Sequence, residues 1–328
     1  MDHLPTPAPP RDSPEPEAPK WHLDLGRNQV DSSRFPAAAW ARLTRQVLSE
    51  GNFLAPVPQQ GLYALRQAIA RDLWDFKGMA VAPEQIVVGA GAEYLYLLLA
   101  QLLGANGRTV LPWRSRAIPK SARSTGSAAL SAARSRLDCQ GMDPEALAAS
   151  GAMAAHISPA HHYPTGLVTP IGRRHALLRW AEASDGFIIE DDYDSEFRYH
   201  GKPIPAMQGL DDGENVIYMG TFSKAIAPAI RASYMVLPKK LAKRYQQIGQ
   251  TFSCAVSRID QKVLTLFLTE GHFERHLNRM RNIYKEKHDL LIKEIKKLNS
   301  DIQIYGHGAG AHIIVRFPVS DQKEFQKN

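Results

Sequence analysis

Short apolar runs recur through the middle of this chain with helical stretches between them. They are Gln85 to Val88 (QIVV), Ala155 to Ile157 (AHI), Gly186 to Ile189 (GFII), Val216 to Met219 (VIYM) and Ser233 to Leu237 (SYMVL). Strands of this kind, alternating with helices such as Arg173 to Ala183, predict an α/β sheet covered on both faces. Two further helices are expected ahead of the first strand. One carries Trp40, Leu43 and Val47; the other, Gly61 to Phe76, puts Leu62, Leu65, Ile69 and Leu73 on one face. Beyond Pro238 the texture changes to long Lys-rich helix and then a strand–Gly turn–strand at Ile302 to Phe317. That change predicts a second, smaller lobe. The expected division is a Pro-rich disordered tether over 1–20, a large domain over 21–237 and a partial small domain over 238–328.

At 328 residues the chain is long enough for a full enzyme core. Its two cysteines, Cys139 and Cys254, allow no disulfide framework, and no Cys/His zinc spacing is present, so no metal is expected. The first 20 residues hold no apolar signal-peptide core, and no apolar stretch reaches the roughly 18 residues of a membrane span. A cytoplasmic location follows as the expectation, without membrane contact. The net charge of +7 raises the question of nucleic acid. The excess lysines, however, interleave with Leu and Ile at helical spacing near residues 239–243 and 285–297, as on a solvated helix face. Direct DNA binding by this chain is not expected.

Three segments carry potential chemistry, each at the end of an expected strand. Glu190-Asp191-Asp192-Tyr193 follows GFII, where α/β sites form at the carboxyl edge of the sheet; a solvated turn is the plain alternative. Gly220-Thr221-Phe222-Ser223-Lys224 follows VIYM and presents one lysine among hydroxyls, and Arg231 lies shortly beyond. Gly89-Ala90-Gly91-Ala92 joins the first strand to an apolar helix, either as an anion cradle or as a tight turn. A lysine, a carboxylate and a phosphate cradle together are what pyridoxal phosphate requires. The lysine forms a Schiff base with its aldehyde, and an aspartate keeps its pyridine nitrogen protonated.

These segments resemble the aminotransferase-like domain of the MocR/GabR regulators. The similarity runs from about Trp21 to Pro318. It is carried by IIEDDYDSEFRY (188–199), YMGTFSKAIAPAIRASYMVLP (218–238), EGHFERHLNRMRNIY (270–284), QIVVGAGAEYL (85–95) and SPAHHYPTGLVTP (158–170). The resemblance implies fold type I of the pyridoxal-phosphate-dependent transferases, with a mostly parallel central sheet, helices on both faces and a smaller α+β lobe. It implies pyridoxal 5′-phosphate as cofactor, an amino acid held as an external aldimine, and a homodimer. Lys224 would form the Schiff base, Asp191 would pair with the pyridine nitrogen and Tyr193 with the phenolic oxygen. Thr221, Arg231 and the backbone of Ala90, Gly91 and Ala92 would hold the phosphate, with His161 or His162 at the ring's edge. Asp191 rather than Asp192 takes the first role because the family places that aspartate two residues before the tyrosine.

The departures from the family pattern are equally informative. Leu54 to Pro58 (LAPVP) replaces a segment whose tyrosine would reach a neighbouring subunit's phosphate. Leu111 to Arg134, rich in Ser, Ala and Arg, replaces a strand and loop with a ring-stacking aromatic, and suits neither strand nor buried loop. Codons for Pro112 to Lys120 exist whose shifted frame spells Met-Glu-Ile-Pro-Gly-Tyr-Pro-Lys, and the single Trp113 codon agrees. A frameshifted patch, restored by Leu137, is the expectation; a divergent loop is the alternative. A winged helix before the tether and the segment bearing a carboxylate-binding arginine are also expected to be missing. Three functions remain open on this reading: an amino-acid sensor, an active aminotransferase and an inactive remnant.

Overall fold

A computed structural model describes residues 30–104, 109–112, 131–132, 137–199, 204–212, 214–248, 253–299, 301–306, 308–310 and 312–318. The tether over 1–20 and most of the 111–134 stretch lie outside these residues. Helices α1 (Ala37–Ser49) and α2 (Tyr63–Lys77) come first, followed by β1 (Ile86–Gly89) and α3 (Ala92–Leu103). Next are β2 (Thr109–Pro112), β3 (Ser131–Ala132), β4 (Leu137–Asp138), β5 (Gly141–Met142), α4 (Pro144–Ala149) and β6 (Ala154–Ile157). Then come α5 (Ile171–Ala183), β7 (Phe187–Asp192), β8 (Val216–Thr221), α6 (Phe222–Ala225) and β9 (Ser233–Val236). Helices α7 (Lys239–Ile248), α8 (Arg258–Thr269) and α9 (His272–Leu298) precede a closing hairpin of β10 (Gln303–Tyr305) and β11 (Ile314–Arg316).

The main sheet has seven strands in the order β1-β9-β8-β7-β6-β2-β3. Only β9 runs against its neighbours, pairing antiparallel with both β1 and β8; the other pairings are parallel. The mostly parallel sheet expected from the sequence is therefore present. One correction concerns the edge: Leu111 and Pro112 pair with Ala155 and His156, and Ser131 and Ala132 form a further short strand. The 111–134 stretch thus begins and nearly ends in sheet, contrary to its composition. Strand pairing there is templated by β6, whose neighbouring backbone groups need partners whatever side chains the edge brings.

Two large cores sandwich the sheet, and a third, smaller one packs Leu147, Leu177 and Trp180 of α4 and α5 against Ile188 and Val216. On one face α1, α2, α8 and α9 bury Leu43, Val47, Leu65, Ile69, Leu73, Val263, Phe267 and Leu277 against Val88, Tyr218 and Val236. On the other, α3 and α7 bury Leu95, Leu99, Leu102, Leu241 and Tyr245 against Val87, Ile189, Ile217 and Met219. Period two explains the split: successive residues of one strand belong to opposite cores. Each fully buried aliphatic side chain contributes about 1.5–3 kcal/mol. Both cores run on past residue 237, because α7 and α8 pack on the sheet and on α1 and α2. Leu62, expected on the face of α2, instead precedes that helix in extended conformation. No helix of the described residues is long and apolar enough to cross a membrane.

Candidate active site

Parallel strands put the ends of β1, β7 and β8 on one edge of the sheet, and the antiparallel β9 begins at that same edge. Gly89 and Thr221 both pair with Ser233, so the loops after β1 and β8 and the loop before β9 converge. A cavity of about 360 Å³ lies there, lined among others by Gly91, Asp191, Tyr193, Thr221, Lys224 and Arg231. Segments that are far apart in sequence meet in it.

On β7 the two aspartates face opposite ways, as period two demands. Asp191 Oδ2 accepts from Tyr96 Oη at 3.0 Å and lies 3.2 Å from His156 Nε2. Tyr96 Oη and His156 Nε2 are 2.7 Å apart. Residue His156 is paired across the sheet with Ile189, two places before Asp191 and on the same face. Asp192 is buried on the other side, 2.9 Å from Lys77 Nζ and accepting from Tyr218 Oη at 2.6 Å. Burial pushes its carboxyl up, but Lys77, Ser195 and Tyr218 together hold it below the usual range. The choice between the two carboxylates thus has a geometric basis: only Asp191 reaches the cavity.

Lys224 sits on α6, whose cap is Thr221: its Oγ1 accepts from the Ser223 N–H at 3.2 Å and from Ser233 Oγ at 2.8 Å. Burial lowers the Lys224 pKa, with Asp194 opposing, so a larger share of neutral amine is present at a given pH than on a surface lysine. Burial raises the Tyr193 pKa, helped by Asp194 and Asp191, and the phenol stays protonated. Its hydroxyl donates to the carbonyl of His161 at 3.1 Å.

The end of the cavity next to the 89–92 turn is built from backbone as much as side chain. Gly91 has φ +93°, and a Cβ there would lie 2.4 Å from Arg231 Nη2. Arg231 is itself left-handed at φ 46° and pairs with Glu93 at 2.8 Å, both side chains about half exposed. Ser223 Oγ is buried without a hydrogen-bond partner and faces the same cavity wall. An orphaned hydroxyl beside a guanidinium and a glycine turn suits an oxyanion. Together with the carboxylate of Asp191 and the amine of Lys224, the donor set fits pyridoxal phosphate.

Not every expected residue lines the cavity. Gly91, Ala92, Asp191, Tyr193, Thr221, Lys224 and Arg231 do; Ala90, His161 and His162 are not among the lining residues. His161 stands behind Tyr193, with Nδ1 3.0 Å from both carboxylate oxygens of Asp194. His162 Nδ1 lies 2.6 Å from Thr165 Oγ1, within its own turn. Tyr96, His156, Ser158, Tyr163 and Ser223 are additions to the expected set. The one signal for His156 in the sequence is a polar residue inside an otherwise apolar strand.

A mostly parallel sheet sandwiched by helices defines the fold type I class of the pyridoxal-phosphate-dependent transferases. Solved structures agree on the fold. An archaeal alanine:glyoxylate aminotransferase superposes with TM-score 0.79 at 23% identity, covering 90% of this chain and 75% of that one. The Pyrococcus horikoshii kynurenine aminotransferase gives 0.79 at 21% identity, covering 92% and 77%. The family model "Aminotransferase class I and II" matches residues 19–328. Curated relatives include the uncharacterized HTH-type transcriptional regulator YhdI of Bacillus subtilis (strain 168), 35% identical over 93% of this chain and 66% of its own length. The probable rhizopine catabolism regulatory protein MocR of Rhizobium meliloti is 31% identical over 86% of this chain and 58% of its own length. The chain therefore spans about two thirds or less of these two relatives' lengths. It belongs to the aminotransferase class I and II family, among the MocR-type regulators that carry an aminotransferase-like domain.

Proposed function

We propose that this chain binds pyridoxal 5′-phosphate in the cavity and receives an amino acid against it, acting as the effector-sensing part of a regulator. The observation that carries this reading is the meeting of Lys224, Asp191, Tyr193, Thr221 and Arg231 in one cavity. When bound, the cofactor supplies an electron sink for charge developing at an amino acid's α-carbon. Asp191, held by Tyr96 and His156, would accept a charge-assisted hydrogen bond from the pyridinium N–H. Tyr193 would turn its hydroxyl from the His161 carbonyl to donate a hydrogen bond to an oxygen of the ring. Lys224, its pKa lowered by burial, would supply the amine for the cofactor and could carry a proton at the substrate's α-carbon. Thr221, Ser223, the N–H groups after Gly91 and Arg231 would hold the phosphate, with Arg231 exchanging Glu93 for it. A homodimer completes the proposal, as in the parent family.

Gly91→Ala is expected to weaken binding of the cofactor about tenfold, from left-handed strain of roughly 1–2 kcal/mol and displacement of Arg231. Fluorescence titration with pyridoxal phosphate measures it, and an unchanged affinity would remove Gly91 from the phosphate cradle.

The function itself is tested by adding a panel of amino acids to the pyridoxal-phosphate-loaded chain and following its visible spectrum. A saturable shift without oxo-acid release supports the sensor. Oxo-acid release at enzymatic rates replaces it with an active aminotransferase. No spectral response to any amino acid overturns both and leaves an inactive remnant.

A further inference from the structure

Behind Tyr193, three side chains from three separate segments converge. His161 follows β6, Asp194 follows β7 and His312 precedes β11. One ligand atom from each lies within 4.8 Å of the others. His161 and Asp194 are each 3% exposed, and the two imidazole rings sit 4.7 Å apart between centroids. We infer that His161, Asp194 and His312 form a binding site for a divalent transition-metal ion of the zinc type, distinct from the cofactor cavity.

Donor chemistry favours such an ion. Two imidazoles and one carboxylate form a borderline N/O set that suits zinc, which takes ligands at about 2.0–2.2 Å. Tetrahedral ligation sets donor atoms about 3.4 Å apart, and His161 Nδ1 and Asp194 already stand at 3.0 Å. The His312 donor lies within 4.8 Å of the other two, and ligation requires that side to close. A carboxylate this buried needs compensating charge, and a cation would add to what His161 and Lys224 supply.

The surrounding backbone is shaped for the approach. Gly310 has φ +73°, and a Cβ there would fall 2.1 Å from His161 Cε1 and 2.4 Å from Asp194 Oδ2. Its N–H donates to the Phe197 carbonyl at 2.7 Å, its carbonyl accepts from Tyr199 Oη at 2.9 Å, and Arg198 bridges Ala309. The His312 segment is therefore docked on the loop after β7 by contacts independent of the cluster. Tyr163 and Tyr193 cover the His312 ring, with centroids 4.9 and 6.5 Å away. Three scattered segments tied by one ion would fix the wall against which Tyr193 leans.

Purified without an affinity tag and stripped with chelator, the chain should take up one zinc ion per molecule, measured by elemental analysis after desalting. Saturating zinc should raise the thermal midpoint by about 5 °C, and cobalt(II) should give the visible absorption of a low-coordinate site. His312→Ala, and separately the isosteric Asp194→Asn, should weaken zinc uptake roughly a hundredfold or more. His175→Ala, an exposed histidine on α5, should not. Circular dichroism establishes that each variant is folded. Substoichiometric metal in the parent chain, or equal uptake by folded His312→Ala and Asp194→Asn, overturns the site. No pyridoxal phosphate is added, so the outcome is independent of the proposed function.

Discussion

Lys224→Ala is expected to abolish covalent capture of pyridoxal phosphate. In the parent chain, borohydride should fix the cofactor on the peptide containing Lys224, and the alanine variant should carry no label there. The half-buried position lowers this lysine's pKa. Raising the pH increases the neutral amine, so labelling should climb with pH and do so before exposed lysines near 10.4 respond. Alanine removes the amine while leaving the cap of α6, Thr221, and the buried Phe222 and Ala225 in place. Loss of labelling should therefore come without loss of fold. The readouts are the visible spectrum and mass mapping of the reduced peptide. Colour retained by Lys224→Ala, with the label on another lysine, would sink the assignment.

The second large effect separates two adjacent aspartates. Asp191→Ala removes a charge-assisted partner of the pyridinium, a bond typically contributing about 1.5–3 kcal/mol. Cofactor affinity should fall by about one to two orders of magnitude, with little change in urea stability. Asp192→Ala should do the opposite. It leaves Lys77, only 12% exposed, without its 2.9 Å partner. Burial pushes that ammonium's pKa down, yet Asp192 and Glu196 carry it above the ordinary lysine range, which is the sign of a charge that depends on its partners. Stranding one member of a buried pair costs about 3–5 kcal/mol. A lowered urea midpoint with near-parent affinity in the folded fraction is expected for this variant. The reverse ranking would show that the strand's two faces have been exchanged.

That contrast also shows how far the sequence reaches. Lys224, Asp191 and Tyr193 are recognisable because each ends an apolar strand and sits within a long matched motif. The choice of Asp191 over Asp192 rests on motif position in the sequence and on strand parity in the fold. The strand residues at 111–112 and 131–132 run against composition, since a neighbour's unpaired backbone recruits them. His161 and His162 are adjacent in a motif that suggests a ring edge, yet one backs Tyr193 and the other closes a turn. Adjacent positions leave a sheet in different directions, and a motif does not state which.

The sequence by itself determines the α/β alternation, the buried helices and the residues ending each strand, because hydrophobic period and turn chemistry are local properties. Tertiary structure alone decides which of these residues meet. Tyr96 on α3 and His156 on β6 reach Asp191 through sheet register and helix packing, over 95 and 35 residues of separation. Lys77 finds Asp192 across 115 residues for the same reason. His312 joins His161 and Asp194 because Gly310 lets the backbone pass where any Cβ would collide. Long-range contacts depend on summed packing of whole elements, and no short stretch of chain encodes that sum.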